Sequence, residues 1–221
     1  MKKLYSCLII LTFFASCADD ENSKEINPAL HNKGVGERLP TNTNNPYDNA
    51  GRIYDEVFDT YYDGTNRQSD ISTVISNVEA IANSNSSFVG LASSYTSISA
   101  ERVEYLATRT SSDIGGIIGA STLSLSAKTS FINFLISYTT LYSSETDALR
   151  MYNAIVKYEE SVINNSLLTV NDKRIILTTT AIVRYSSYRA KKKPKKNTDP
   201  DWLISVGHVF GTEEGAEENE A

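Results

Sequence analysis

From Leu123 to Tyr142 apolar and aromatic side chains return every third or fourth residue, and that spacing limits what the chain can fold into. The composition there, rich in Ser, Thr and aromatics, favours strands, and Leu123-Ser124-Leu125-Ser126 alternates. Yet Phe131, Phe134, Leu135, Tyr138, Leu141 and Tyr142 follow a period of 3.6 and not of 2. The same period carries Ala50, Ile53, Tyr54, Val57, Phe58 and Tyr61, and then Ile71, Val74, Ile75, Val78 and Ile81. It returns in Leu149, Tyr152, Ile155, Val156, Val162 and Ile163, and in Ile175, Ile176, Thr179, Ile182, Val183 and Tyr185.

Stop and start signals divide these stripes. Asp63-Gly64 ends the first, with glycine available for a left-handed cap, and Asp70 caps the second. Asn83 to Ser87 reads as a turn, and Phe88 to Thr110 carries one or two further helices, the clearest from Ala100 to Leu106. Gly115, Gly116 and Gly119 interrupt the pattern, as a loop or a close helix approach. Ser144 is expected to cap the next helix, with Asp147 at its N3 position. Asn164-Asn165-Ser166 breaks that helix, and the last strong one starts at Asn171 and stops at Pro194. Asp199-Pro200 opens a short helix through Trp202, Leu203, Val206 and Phe210, before an acidic tail from Glu213 to Ala221. Hairpin signals and fixed repeats are missing. The expected architecture is all-α, a single helical bundle of five to seven helices.

The N-terminus is of a different kind. Lys2 and Lys3 precede an apolar run from Leu8 to Phe14, closed by Ala15-Ser16-Cys17. The run is shorter than the ~20 residues a bilayer span needs. Phe14-Ala15-Ser16-Cys17 resembles the cleavage box of bacterial lipoproteins, with Phe14 in place of the usual leucine. Ala18-Asp19-Asp20-Glu21 resembles the acidic signal that follows the lipidated cysteine in surface lipoproteins of Bacteroidota. Asn45-Pro46-Tyr47-Asp48 resembles a motif that opens the mature part of some uncharacterised Bacteroidota lipoproteins. These resemblances imply a signal peptide over residues 1–16 and lipidation of Cys17. They further imply attachment to the cell envelope at the outer membrane, with surface exposure, and they imply no activity. Residues 17–46, with Pro28, Pro40, Pro46, Gly34, Gly36 and an amide-rich end, are expected to form a flexible tether. The all-α domain is expected over 47–190, with a basic segment, short helix and acidic tail over 191–221.

Charge and chemistry narrow the function classes. Losing Lys2 and Lys3 with the signal takes the net charge from −6 to −8, a poor match to nucleic acid. Cys7 leaves with the signal, so the mature part keeps Cys17 alone and no internal disulfide is expected. The two histidines, His31 and His208, have no metal-spaced partner, and no nucleophile elbow, phosphate loop or dinucleotide fingerprint is present. No metal, cofactor or catalytic set is expected.

Three features remain as candidates. Asp55 and Asp59 share a helix face, either as an acid/base pair or as a solvated outer face. Asp59 to Asp70 half-matches a calcium loop, with a helix–turn–helix as the plainer reading. Lys191, Lys192, Lys193, Lys195 and Lys196 form an anionic-partner contact or a solvated helix end. The helices also carry many Ser, Thr, Asn and Tyr residues, suited to a protein or glycan ligand or else to boundary positions with wet hydroxyls. The leading expectation is a lipid-anchored binding or interaction module, its bilayer partner reached through acylated Cys17. A carboxylate-dependent envelope hydrolase and a structural subunit of an envelope complex are the alternatives. Cys17→Ser is expected to abolish membrane partitioning, measured by detergent phase separation of cell fractions; unchanged partitioning refutes lipid anchoring.

Overall fold

The computed structural model describes residues 40–63, 70–91, 97–107, 109 and 113–192, all within the unit Arg38–Ala221. Among the described residues there are eight helices and no strand. They are α1 (Asp48–Asp63), α2 (Ile71–Ser84), α3 (Ser86–Leu91), α4 (Ala100–Ala107), α5 (Ile114–Ala120), α6 (Leu125–Ser144), α7 (Ala148–Asn164) and α8 (Val170–Lys192). The all-α expectation holds, and the short helices α3 and α5 account for a count above the expected range.

Local chemistry explains most boundaries. Asp70 caps α2 as expected, its carboxylate accepting from the Thr73 backbone N–H at 2.9 Å. That bond holds its carboxyl below the usual carboxylate range. The expected turn over 83–87 shrinks to Asn85. Its backbone N–H closes α2 on the Ile81 and Ala82 carbonyls, while its side-chain oxygen accepts from Ser87 and Phe88 at the start of α3. One asparagine thus ends one helix and begins the next.

The expected start at Ser144 is corrected. Ser144 ends α6, its hydroxyl donating back to Thr140, and Asp147 is itself the cap of α7, accepting from Leu149 N–H at 2.8 Å. The glycines of α5 do not mediate close packing: a Cβ on Gly115, Gly116 or Gly119 would meet nothing within 4 Å. They sit in a short helix that buries Ile114 and Ile118 instead.

Thr169 and Asp172 form a reciprocal capping box at the head of α8, each side chain accepting the other's backbone N–H. Asp172 also accepts from the backbone and hydroxyl of Ser124 at 2.8 and 2.9 Å, stitching the head of α6 to that of α8. Burial alone would raise the Asp172 carboxyl, but the hydrogen bonds from Ser124 and Thr169 outweigh it and hold it low.

Helix α8 is the central element. Ile175, Ile176, Leu177, Thr179, Thr180, Ala181, Val183, Arg184, Tyr185, Ser186 and Ser187 are all buried, so the helix is covered around its circumference and not along one stripe. Its hydroxyls are satisfied within the helix: Thr179 donates to Ile175 O, Thr180 to Leu177 O, Ser186 and Ser187 to Val183 O. Its first half joins Leu106, Ile114, Ile118, Leu123, Ala127, Phe131, Leu135, Val162 and Leu168 in one apolar cluster. Each large side chain there contributes roughly 1.5–3 kcal/mol by leaving water.

Between α6 and α7 the rings of Phe134 and Tyr158 stack at 3.9 Å and 5°. Burial pushes the Tyr158 phenol up to about 12, opposed by a hydrogen bond with Ser130.

Helix α1 crosses the second half of α8 at Gly51. A Cβ there would stand 2.4 Å from Tyr185 Cδ2 and 2.7 Å from the Ala181 carbonyl oxygen. Tyr185 could swing aside, but the backbone carbonyl cannot without separating the helices. Gly51→Ala, which in an exposed helix would add about 1 kcal/mol of stability, is expected here to cost about 1–3 kcal/mol through overpacking. Urea unfolding checks the sign, and a stabilised variant refutes the close approach.

Candidate functional site

Two charged side chains, Glu159 on α7 and Arg184 on α8, have no exposed area. Glu159 lies on the same face as Met151, Ile155 and Val162, the buried stripe of α7. Burying an ionised carboxylate there costs several kcal/mol unless every oxygen is engaged. Arg184 Nε reaches the two Glu159 oxygens only at 3.3 and 3.4 Å, which is long for a charge-assisted bond. Other donors complete the shell.

Those donors come from the amide-rich stretch expected to be the end of a tether. Asn42 Nδ2 donates to Glu159 Oε2 at 2.7 Å, and Asn45 Nδ2 donates to Glu159 Oε1 at 2.9 Å and to the Leu177 carbonyl at 3.0 Å. Arg184 donates through Nη1 to the Pro40 carbonyl and through Nη2 to Asp48 Oδ1 at 2.5 Å. Tyr152 donates to the Thr41 carbonyl at 2.8 Å, and Tyr185 and Thr41 share a hydroxyl–hydroxyl bond at 3.2 Å.

Residues 40–46 are therefore a strap, not a tether, and the expected boundary at 46 is too late by this segment. The strap is held in shape from within. Asn42 Oδ1 accepts from Asn44 N–H, Asn45 Oδ1 accepts from Tyr47 N–H, and Asp48 Oδ1 accepts from Asn42 N–H. These Asx-type turns are what Asn supplies best. Asn42 and Asn45 are 6% and 3% exposed.

The acidic pair of α1 is also committed. Arg189 on α8 donates to Asp55 Oδ1 from Nε at 2.9 Å and to Asp59 Oδ1 from Nη1 at 2.5 Å, with its guanidinium 4.5 Å from the centre of the Phe58 ring. Burial alone would depress the Arg189 pKa, but the bonds to Asp59 and Asp55 outweigh it and raise it. Asp55 and Asp59 thus face a cation, as neither an open acid/base pair nor a purely solvated face. Asp59, the first position of the half-matched calcium loop, is engaged in the same way; residues 64–69 of that loop lie outside the described residues. Among the described residues no group of three or more His, Cys, Asp or Glu side chains is placed to hold a metal ion.

The remaining sequence candidates divide in two. Cys17, Lys193, Lys195, Lys196, Trp202 and Phe210 lie outside the described residues, and Lys191 and Lys192 enter only as the backbone end of α8. Five exposed hydroxyls of α6 are within reach of solvent but bonded at home. Thr129, Ser137, Thr140, Ser143 and Ser144 each donate to the carbonyl four residues back. Most described tyrosines occupy boundary positions, with Tyr105 exposed between Arg102 and Arg109, whose guanidiniums lie 4.7 and 3.8 Å from its ring centre. An open recess of about 350 Å³ is lined by Asp70, Ile71, Ser72, Ala100, Glu101 and Glu104; Asp70 there is already occupied as the cap of α2.

No protein-family model, curated protein or solved structure matches the chain. No helix of the described residues is long and apolar enough to cross a membrane.

Arg184, Glu159 and Asn42 were not singled out in the sequence, and Asn45 only as the first residue of the Asn45-Pro46-Tyr47-Asp48 motif. One signal was available: Glu159 interrupts an apolar stripe at the spacing of Met151, Ile155 and Val162. The network's chemistry is that of a clasp, with charge neutralised and donors matched. Glu159→Leu leaves Arg184 without its buried counter-charge and Asn42 Nδ2 without its acceptor, with Asn45 kept only by the Leu177 carbonyl, and is expected to cost on the order of 3–5 kcal/mol. Arg52→Ala, at the part-exposed Arg52–Glu56 pair, is expected to cost less than about 1 kcal/mol. Guanidinium unfolding of both variants checks the contrast, and equal losses refute it.

Proposed function

We propose that the chain is a lipid-anchored protein of the bacterial envelope that acts as a non-enzymatic binding or interaction module. The observation that carries this reading is the strap. A chain held by a lipid on Cys17 would deliver its pull to the fold at Pro40, where the carbonyl is held by buried Arg184 and the next residues by Glu159. A fixed entry point suits a body that is presented from a surface. The lipoprotein-like box at Phe14-Ala15-Ser16-Cys17 supports the same reading.

The carboxylate-hydrolase alternative loses its best pair, because Asp55 and Asp59 both engage Arg189 and a general base needs a free lone pair aimed at substrate. A role as a structural subunit of an envelope complex remains compatible with the same anchor, since helical bundles host many functions.

The mature protein, attached to arrays through residue 17, is expected to capture a surface glycan or protein ligand. Replacing Lys191, Lys192, Lys193, Lys195 and Lys196 together by glutamine separates two routes. Loss of capture assigns the contact to the basic segment and an anionic partner, and retained capture assigns it to the helical body. No capture on protein and glycan arrays alike overturns the binding reading.

A further inference from the structure

The described helices are held together by two different kinds of contact. The main apolar cluster draws its buried members from Leu106 onward, and among the described residues none comes from α1, α2 or α3. Those three helices bury little: Gly51, Ile53 and Phe58 in α1, Ala82 in α2, and nothing in α3. Beyond the tight crossing at Gly51, the Tyr47 ring at the edge of that cluster and a contact of α2 with α4, what fastens them to the rest is the polar seam along α7 and α8. It consists of the Arg184–Asp48 pair, the Arg189 fork on Asp55 and Asp59, and the two strap carboxamides on Glu159. Even within the group the ties are polar, since Arg52 bonds Ser87 and Asn85 bonds Glu56.

A seam of this kind behaves unlike an apolar one. Charged groups recover hydration when they separate, so opening returns a large part of the solvation lost on closing. Apolar side chains recover nothing. Regions with few buried apolar contacts open with smaller free energies than the core they rest on. The steric fit at Gly51 adds a second condition, because a shift of α1 along α8 puts a residue with a Cβ at a crossing that has no room for one beside the Ala181 carbonyl. The seam is therefore closed in one register or open.

We propose that residues 40–63 and 70–91 form a charge-held limb that separates from α7 and α8 as a cooperative unit while the cluster of α4–α8 stays folded. Opening exposes Glu159, Arg184 and Tyr185 on the inner face of the seam. The segment before Pro40 joins the molecule on this limb, so a pull from that side loads the polar seam before it loads the core. The proposal stands whether or not Cys17 carries lipid.

Hydrogen exchange read by mass spectrometry on the full-length protein tests it. In the wild type, peptides from 40–63 and 70–91 are expected to exchange about tenfold or more faster than those from 125–144 and 170–183. Arg189→Gln is expected to speed exchange across 40–63 several-fold while leaving 125–144 unchanged. Asp59→Asn, at a half-exposed position, is expected to do the same more weakly, and it keeps the test available if Arg189→Gln does not fold. One common exchange rate for the limb and the core in the wild type overturns the proposal. So does a variant effect spread evenly over both.

Discussion

A carboxylate and a guanidinium buried side by side set the terms for everything around them. Glu159 and Arg184 sit too far apart to satisfy one another fully, and neither has access to water. A fold that contains them must therefore import donors and acceptors from elsewhere in the chain. The strap is the import. Two asparagine side chains, one backbone carbonyl and the Asp48 carboxylate supply what the pair lacks. The order of the segment from Pro40 to Asp48 follows from that demand, and so does the placement of α1, which begins at Asp48.

The two halves of α8 divide the work of stability and specificity. Its first half is packed by aliphatic side chains that tolerate repacking if volume is conserved. Its second half meets α1 through Gly51, Arg184 and Arg189, where geometry admits one register. Burial of polar groups at that seam contributes less to net stability than the same area of hydrocarbon would. It does specify which face of α1 docks, because any other face would take Asp48 away from Arg184 and Asp55 and Asp59 away from Arg189.

Helical periodicity was legible because it is a local property. The stripes at 53–61, 71–81, 131–142 and 175–185 need only neighbours three and four residues away, and each lies in a helix. Caps were legible where side chain and acceptor are close in sequence, as with Asp70 and Thr73. The same reasoning misplaced the head of α7, because Ser144 and Asp147 are both good caps and only the back-bond of Ser144 to Thr140 decides between them. The strap was illegible for a stronger reason. Asn42, Asn44 and Asn45 have the composition of solvated chain, and nothing nearby reveals that Glu159 and Leu177 await them. Arg184 and Glu159 were obscured likewise, since a single charge within an apolar stripe reads as an exposed exception until its partners are known. The resemblance of Phe14-Ala15-Ser16-Cys17 to a lipoprotein cleavage box, like the run of lysines beyond Arg189, is a reading of the sequence.

The strap's partners lie 111 to 144 positions further along the chain. Loop closure over such a separation is entropically expensive, and contacts of this span slow the search for the native state. A chain emerging N-terminus first, from a ribosome or through a translocation pore, presents Pro40 to Asp48 long before Arg184 exists to receive them. The strap must therefore wait as solvated chain while α6 and α7 form, and it docks only when α8 is complete. Its amide-rich, charge-poor sequence suits that interval: it offers no apolar surface to aggregate and no charge to pair wrongly. The composition that makes this segment look like disordered linker is also what lets it remain one, harmlessly, until α8 arrives.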